Sequence, residues 1–249
     1  MGSGILLGTG GTFGTGPALG VWQRIPKSLI EDLPGKGHGF FTHFTEKLYS
    51  TTNGAYVNGW LYNKDTAGDL LSGGLEGGVV TLNAPASGHG GQIQSDAAFV
   101  MDTDSQLAWG CRYKMVDADA QNVVMGLAIN DTLLCDHIAG TTADAIVVRH
   151  TADATLFYQV NTGGGGMTAA TLGVTDIADN AWHTVDVFAD KETAVEFWVD
   201  GTKALTYTTT ANFPTDTALA LSFANEGTAS ANNYLYLDWA YAYQWRKDI

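Results

Sequence analysis

The sequence predicts an all-β protein, a β-sandwich preceded by an extended and irregular N-terminal arm. Three observations carry this. Residues 181–208, AWHTVDVFADKETAVEFWVDGTKALTYT, read as three antiparallel strands in a row. With these, about a dozen short segments read as strands between turn signals, the spacing of a sandwich. No segment repeats its apolar residues at the 3.6 period of a helix.

Taken from the start, residues 1–20 are dense in Gly and Thr and show neither strand nor helix periodicity. Such a stretch buries too little surface to offset its own ordering entropy, so a tail or a partner-ordered arm is expected. Residues 21–49 then supply Val21, Trp22, Ile25, Ile30, Leu33, Phe40, Phe41 and Phe44, interrupted by Pro26 and Pro34. A free tail has no use for that many aromatic rings. The arm therefore lies either on a partner or on its own domain as an outer layer. In the first case Trp22, Ile25, Ile30, Leu33, Phe40, Phe41 and Phe44 are the contact residues. The chain divides on this reading into an arm, residues 1–54, and a sandwich, residues 55–249.

In the sandwich, Tyr56–Tyr62 and Gly78–Asn83 read as the first strands, separated by a polar loop over 63–77. Gln92–Ser95 and Ala97–Met101 follow. Ser105–Ala118 is a long strand with Leu107, Trp109, Cys111, Tyr113 and Met115 on one face and Arg112 and Lys114 on the other. Val123–Asn130 is expected to pair beside it. Ala145–Arg149 and Thr155–Val160 form a hairpin, and Gly163–Gly166 a loop. In the meander, Val185 and Val187 alternate with Asp186 and Phe188, Asp190–Thr193 turns the chain, and Val195, Phe197 and Val199 alternate with Glu196 and Trp198. Asp200-Gly201 then supplies two residues that tolerate positive φ, as a tight hairpin requires. Ala218–Asn225 and Asn233–Trp245 close the chain.

The pattern WHTVDVFAD…VEFWVDGTK, with the closing strand NYLYLDWAYAYQW, resembles concanavalin-A-like domains, which include laminin-G-like modules, legume lectins and many glucanases. The resemblance covers residues 55–245 and implies a jelly-roll sandwich. A narrower one lies in GGQIQSDAAFVMDTDSQLAWGCRYKMVDADAQNVVMGLAINDT, which is similar to structural proteins of tailed bacteriophages and extends in order over residues 78–245. It implies a non-enzymatic capsid decoration or cement protein on the virion surface. Its partners would be the major capsid protein and copies of itself, as in a homo-oligomer such as a trimer.

Composition narrows the function. The 249 residues contain 45% hydrophobic residues, enough for a proper core, and 31 glycines for turns. The net charge of −14 is uneven. Residues 1–49 hold four basic residues (Arg24, Lys27, Lys36, Lys47) against three acidic ones (Glu31, Asp32, Glu46), a net of +1, which leaves −15 on the rest. An acidic body repels phosphates, so no nucleic-acid partner is expected. No run approaches a membrane span, and the N-terminus has no basic n-region before its short apolar run, so cytoplasmic synthesis without a signal peptide is expected. Two cysteines make no disulfide framework, and Cys111 reads as a small buried apolar residue.

Catalytic patterns are sparse. Glucanases of this fold place carboxylates on one strand as Glu-x-Asp-x-x-Glu. Asp186 with Asp190, Glu192 with Glu196, and Asp238 are the nearest approaches, and none completes it. Asp102–Asp104 and Asp117–Asn122 read as solvated acidic turns rather than calcium loops. The six histidines are scattered, so no metal and no cofactor are expected. The alternative to a capsid role is a lectin-like carbohydrate-binding module for host-surface adhesion. Its candidate stacking rings are Trp60, Trp198, Tyr234 and Trp245.

Overall fold

The computed structural model describes residues 16–27, 37–45, 48–65, 67–72, 78–132, 134–135, 143–162, 170–175, 177–190, 192–215, 217–229 and 233–246. Ile30, Leu33 and the 163–166 loop lie outside these. A single helical turn, α1 (Leu19–Trp22), precedes the strands β1 (Gly37–Thr42), β2 (Ala55–Val57), β3 (Trp60–Lys64), β4 (Asp69–Ser72), β5 (Val80–Ala84) and β6 (Gly90–Gln94). Next come β7 (Ser105–Met115), β8 (Gln121–Ala128), β9 (Ala145–Thr151), β10 (Thr155–Asn161) and β11 (Ala170–Val174). The meander is β12 (Trp182–Asp190), β13 (Ala194–Val199) and β14 (Thr202–Tyr207), and β15 (Ala220–Gly227) and β16 (Asn233–Arg246) complete the chain.

These strands form two eight-stranded antiparallel sheets packed face to face. The first runs β14-β13-β12-β7-β16-β5-β4, with β1 added to the free half of β16. The second runs β11-β10-β9-β8-β15-β6-β3-β2. Inward residues of both sheets, among them Trp109, Tyr113, Phe197, Phe223, Leu82 and Ile93, make one core with exposures of 1% or less. Cys111 is buried within it. The predicted β-sandwich and its meander are therefore present, with Asp200 and Gly201 at φ 47° and 75° in the tight turn.

Several local expectations are corrected. Tyr56–Tyr62 is two strands, because Asn58 and Gly59 both take positive φ, 47° and 81°, and reverse the chain. Asn-Gly is the hairpin turn that such dihedrals favour. The supposed loop over 63–77 contains β4, and Ala97–Met101 is reduced to one bridge between Phe99 and Leu219. β8 does not pair beside β7. It crosses to the second sheet through the 3₁₀ turn Ala118–Ala120, while β7 is flanked by β12 and β16. Alternation cannot distinguish those outcomes, since either puts Val123, Met125 and Leu127 into the core.

The described residues of the arm pack on its own domain. Ala18, Val21 and Ile25 are buried with Ala108, Phe188, Trp239, Tyr241, Tyr243 and Trp245 on the outer face of the first sheet, and Trp22, Phe41 and Trp198 pack around them. The Trp22 ring meets Tyr241 edge to face at 5.2 Å, a favoured aromatic geometry. Arg24 pairs with Glu196 at 2.9 Å and lies 4.4 Å above the Phe188 ring. Phe44 is a member of the main core, and Phe40 packs against it. Ile25 and Phe44, offered as partner contacts, are thus consumed inside the chain, and Trp22, Phe40 and Phe41 are partly so. Nor is 54/55 a structural boundary, because β1 and Leu48 belong to the sandwich.

Candidate functional site

The outer face of the second sheet carries polar side chains where a solvated sheet would carry short ones. Asn63 on β3, Gln92 on β6, Ala224 on β15, Val124 on β8 and Arg149 on β9 stand opposite one another in register. Beside this row runs a second, Gln94, Ser222, Gly126, Val147 and Gln159. The small residues at its centre leave room for a roof. Leu134 and Ala143 settle onto Val124, Ala128, Ala145, Val147 and Ala224, all buried together.

Two glutamines hold that roof. Gln94, fully buried, donates from Nε2 to the Ile129 carbonyl and the Ser222 hydroxyl, both at 2.9 Å, and accepts the Asp131 N–H at 2.9 Å. Gln92 accepts the Leu134 N–H at 2.9 Å and donates to the Asp131 carbonyl, which also receives a bond from Asn63. Buried amides are tolerable because their hydrogen bonds are made.

Where the roof ends, towards β3, a cleft of about 210 Å³ opens across β3, β6 and β15. Its polar lining is Asn63, Lys64, Asp65, Gln92, Thr132, Asn225 and Glu226. Glycines 88, 90 and 91 bring bare backbone to its wall. A side chain at Gly90 would meet the Asn225 carbonyl, so the close approach requires glycine there. The Asp65 carboxylate accepts a hydrogen bond from His89 Nδ1 at 3.0 Å. Burial holds the Arg149 guanidinium below its ordinary value, partly offset by the nearby Cys135 and Glu226. The cleft thus offers two carboxylates, Asp65 and Glu226, and the Lys64 ammonium beside the amides of Asn63 and Gln92. Carboxylate pairs are the residue type that glycoside cleavage uses, and amides and carboxylates are what fix sugar hydroxyls.

The stacking rings named from the sequence are not brought together. Trp60 is 6% exposed among Phe40, Phe44 and Phe223, and Trp245 is 3% exposed against Phe188. Both serve packing, so neither presents a face to a ligand. Trp198 packs beneath the arm at Gly20 and donates to Glu196. Tyr234, like Trp198, is half-buried on the outer face of the first sheet. Among carboxylates, Asp238 pairs with Arg112 at 2.5 Å, and Asp186 is buried under the arm. Asn225, which also lines the cleft, donates to the carbonyls of Leu82 and Asn233 and ties the sheets together. Among the described residues no group of three His, Cys, Asp or Glu side chains is placed to hold a metal ion. Nor does any helix have the length and apolarity to cross a membrane.

No protein-family model and no curated protein matches the chain. Solved structures do. A protein of unknown function, SO2946, from Shewanella oneidensis MR-1 aligns over 86% of this chain and 89% of its own at 14% identity and TM-score 0.58. The carbohydrate recognition domain of Emp46p, in its potassium-bound form, covers 74% and 88% at 9% identity and TM-score 0.55. The β-glucanase of Bacillus licheniformis covers 86% and 99% at 16% identity and TM-score 0.51. The chain has the concanavalin-A-like jelly-roll fold of lectins and glucanases. Nothing in these neighbours points to a phage head protein.

The expectation that the chain is not an enzyme is overturned. It rested on the missing one-strand carboxylate triplet, whereas this fold in full is that of a glucanase. Asp65 and Glu226 lie 161 positions apart in sequence, on elements flanking β6, so a search along one strand cannot pair them.

Proposed function

We propose that the chain is a carbohydrate-binding jelly-roll protein that takes glycan in the cleft lined by Asp65, Gln92 and Glu226. The observation carrying this reading is the convergence of amides and carboxylates from three adjacent strands and a roof segment on one cleft. The fold shared with a carbohydrate recognition domain and a glucanase supports it. In the mechanism, the floor is rigid because Gln92 and Gln94 spend their amides on the roof. Asp65, which pairs with His89, Lys64, 3.9 Å from Asp69, and Glu226 stand at the rim, where a glycan hydroxyl would exchange with their present partners. Fixing donors and acceptors before the ligand arrives reduces the ordering cost of binding.

The test is a glycan array on the full chain, then titration of any glycan retained, with turnover followed in the same samples. Asp65→Asn combined with Glu226→Gln is expected to weaken binding about tenfold or more, since hydrogen bonds to charged groups contribute about 1.5–3 kcal/mol each. An array with nothing retained, or retention unchanged in the double variant, would end the proposal.

A second reading concerns where the chain works. The ordered motifs over residues 78–245 support a place on the virion of a tailed phage, against the major capsid protein or copies of itself. Among the described residues, Leu19, Tyr49 and Tyr56, exposed at 55%, 61% and 64%, are the large apolar side chains left for such contacts. Sedimentation of the native source is the check, and full-length chain that stays clear of capsid-sized particles refutes the virion role. Deleting the arm is a poor control, because residues 18–25 cover the aromatic face of the chain's own sheet.

A further inference from the structure

The described residues of the arm cover only part of the first sheet's outer face. Beyond the arm, Trp182 on β12, Lys114 on β7, Tyr236 on β16 and Thr81 on β5 face one another in register. With strands about 4.8 Å apart, the row spans about 15 Å, the reach of a short oligosaccharide. Trp182, Lys114 and Tyr236 point away from the core, since Tyr113, Met115, Leu235 and Leu237 on the same strands point into it. The Lys114 ammonium stands between two rings, 5.2 Å from the centre of Trp182 and 4.7 Å from that of Tyr236. Tyr234 adjoins, its ring 6.0 Å from Tyr236. The Arg112 guanidinium lies 4.7 Å over Trp182 from the next row.

Two features distinguish this strip from an ordinary solvated face. Its polar tips are unspent: among the described residues the Lys114 ammonium has no carboxylate partner, and the Tyr234 and Tyr236 hydroxyls and the Trp182 indole N–H have no hydrogen-bond partner. The Arg112 Nε is buried with no partner as well, although its Nη1 holds Asp238 at 2.5 Å. Two cations against one carboxylate leave the strip positive on a protein of net charge −14. Burial, with Tyr234 adding to it, holds the Tyr236 phenol above its ordinary value, so it stays a neutral donor.

We propose that this strip is a second saccharide site, separate from the cleft and on the opposite face of the sandwich, that binds an acidic sugar through its carboxylate. Lys114 meets the carboxylate. The Tyr234 and Tyr236 hydroxyls meet ring hydroxyls, and the apolar bodies of Trp182 and Tyr236 receive the sugar's C–H faces. A charge-assisted bond to a single carboxylate suits a lone ammonium flanked by donors. The acidic body repels densely charged polyanions and a second copy of this chain alike, which favours a ligand with one charge per residue and many hydroxyls.

The experiment titrates the full chain with a β-1,4-linked glucuronate tetrasaccharide and, separately, with cellotetraose, following the Trp182 indole signal by NMR. The acidic probe should shift that signal, and its affinity should fall about tenfold in Lys114→Gln but only a few-fold in Lys114→Arg, which preserves the charge. Raising the salt should weaken it too. Lys114 is on the surface, and unchanged spectra elsewhere would certify that the variants fold. Absence of an indole shift, or binding that Lys114→Gln leaves intact, overturns the proposal. Binding abolished by Asp65→Asn/Glu226→Gln but not by Lys114→Gln overturns it while leaving the cleft reading in place.

Discussion

Replacing Asp186 with Asn is expected to leave stability unchanged near pH 4 and to raise it above about pH 7. Asp186 lies on β12, fully buried beneath the arm, where its two oxygens accept the Tyr241 hydroxyl at 2.7 Å and the Ala18 N–H at 2.9 Å. Burial is the dominant influence and pushes its carboxyl up to about 7, against an ordinary 3.8, while those two bonds pull the other way. The sign follows from proton uptake. Between about pH 4 and 7 the folded chain holds a proton that the unfolded chain releases, so the stability this group contributes is complete at low pH and lost as pH rises through 7. The ceiling on the loss is about 4 kcal/mol, at about 1.4 per pH unit over that window. Asn keeps the geometry without the charge: its Oδ1 can accept from Ala18, and the Tyr241 oxygen can accept from its Nδ2. Urea unfolding of both proteins from about pH 4 to 9 reads the difference directly. Parallel pH profiles would mean that Asp186 is not the group that titrates under the arm.

Replacing Gln94 with Ala is expected to cost about 3–5 kcal/mol. Four hydrogen bonds vanish, one of them from Gln92, and the Asp131 N–H and Ile129 carbonyl lose their partner, at about 1–3 kcal/mol for each group left unsatisfied in a buried setting. The roof should loosen first, so amide exchange at Ile129 and Asp131 should accelerate more than exchange in β7 or β16. Glycan affinity should fall with it, because Gln92 and the roof frame the cleft. A loss below about 1 kcal/mol would show that the roof stands without this amide.

What could be read in advance divides along one physical line. The meander was legible because its strands are joined by short turns whose residues, Asp200 and Gly201 above all, declare their dihedrals locally. The arm's aromatic residues announced burial but not against what, since apolar side chains gain the same free energy on either surface. β16 shows the limit most clearly. By strict alternation Tyr234 and Tyr236 should oppose Trp239, Tyr241, Tyr243 and Trp245. The register shifts between Leu237 and Trp239, and all six rings stand on the outer face. A β-bulge is a property of two strands together, and its partner β7 lies more than a hundred residues away. It is this shift that builds both the bed for the arm and the strip around Lys114.

By itself, the sequence determined the class: two-faced strands, tight turns and an apolar content sufficient for a sandwich, because period and turn chemistry act within a few residues. Only the tertiary structure decided which faces are used. It laid the arm on its own sheet, sent β8 to the opposite layer from β7, and gathered Asp65, Gln92 and Glu226 into one cleft. Such placements depend on register and on closure between distant segments, where the free energy resides in contacts that no local pattern encodes.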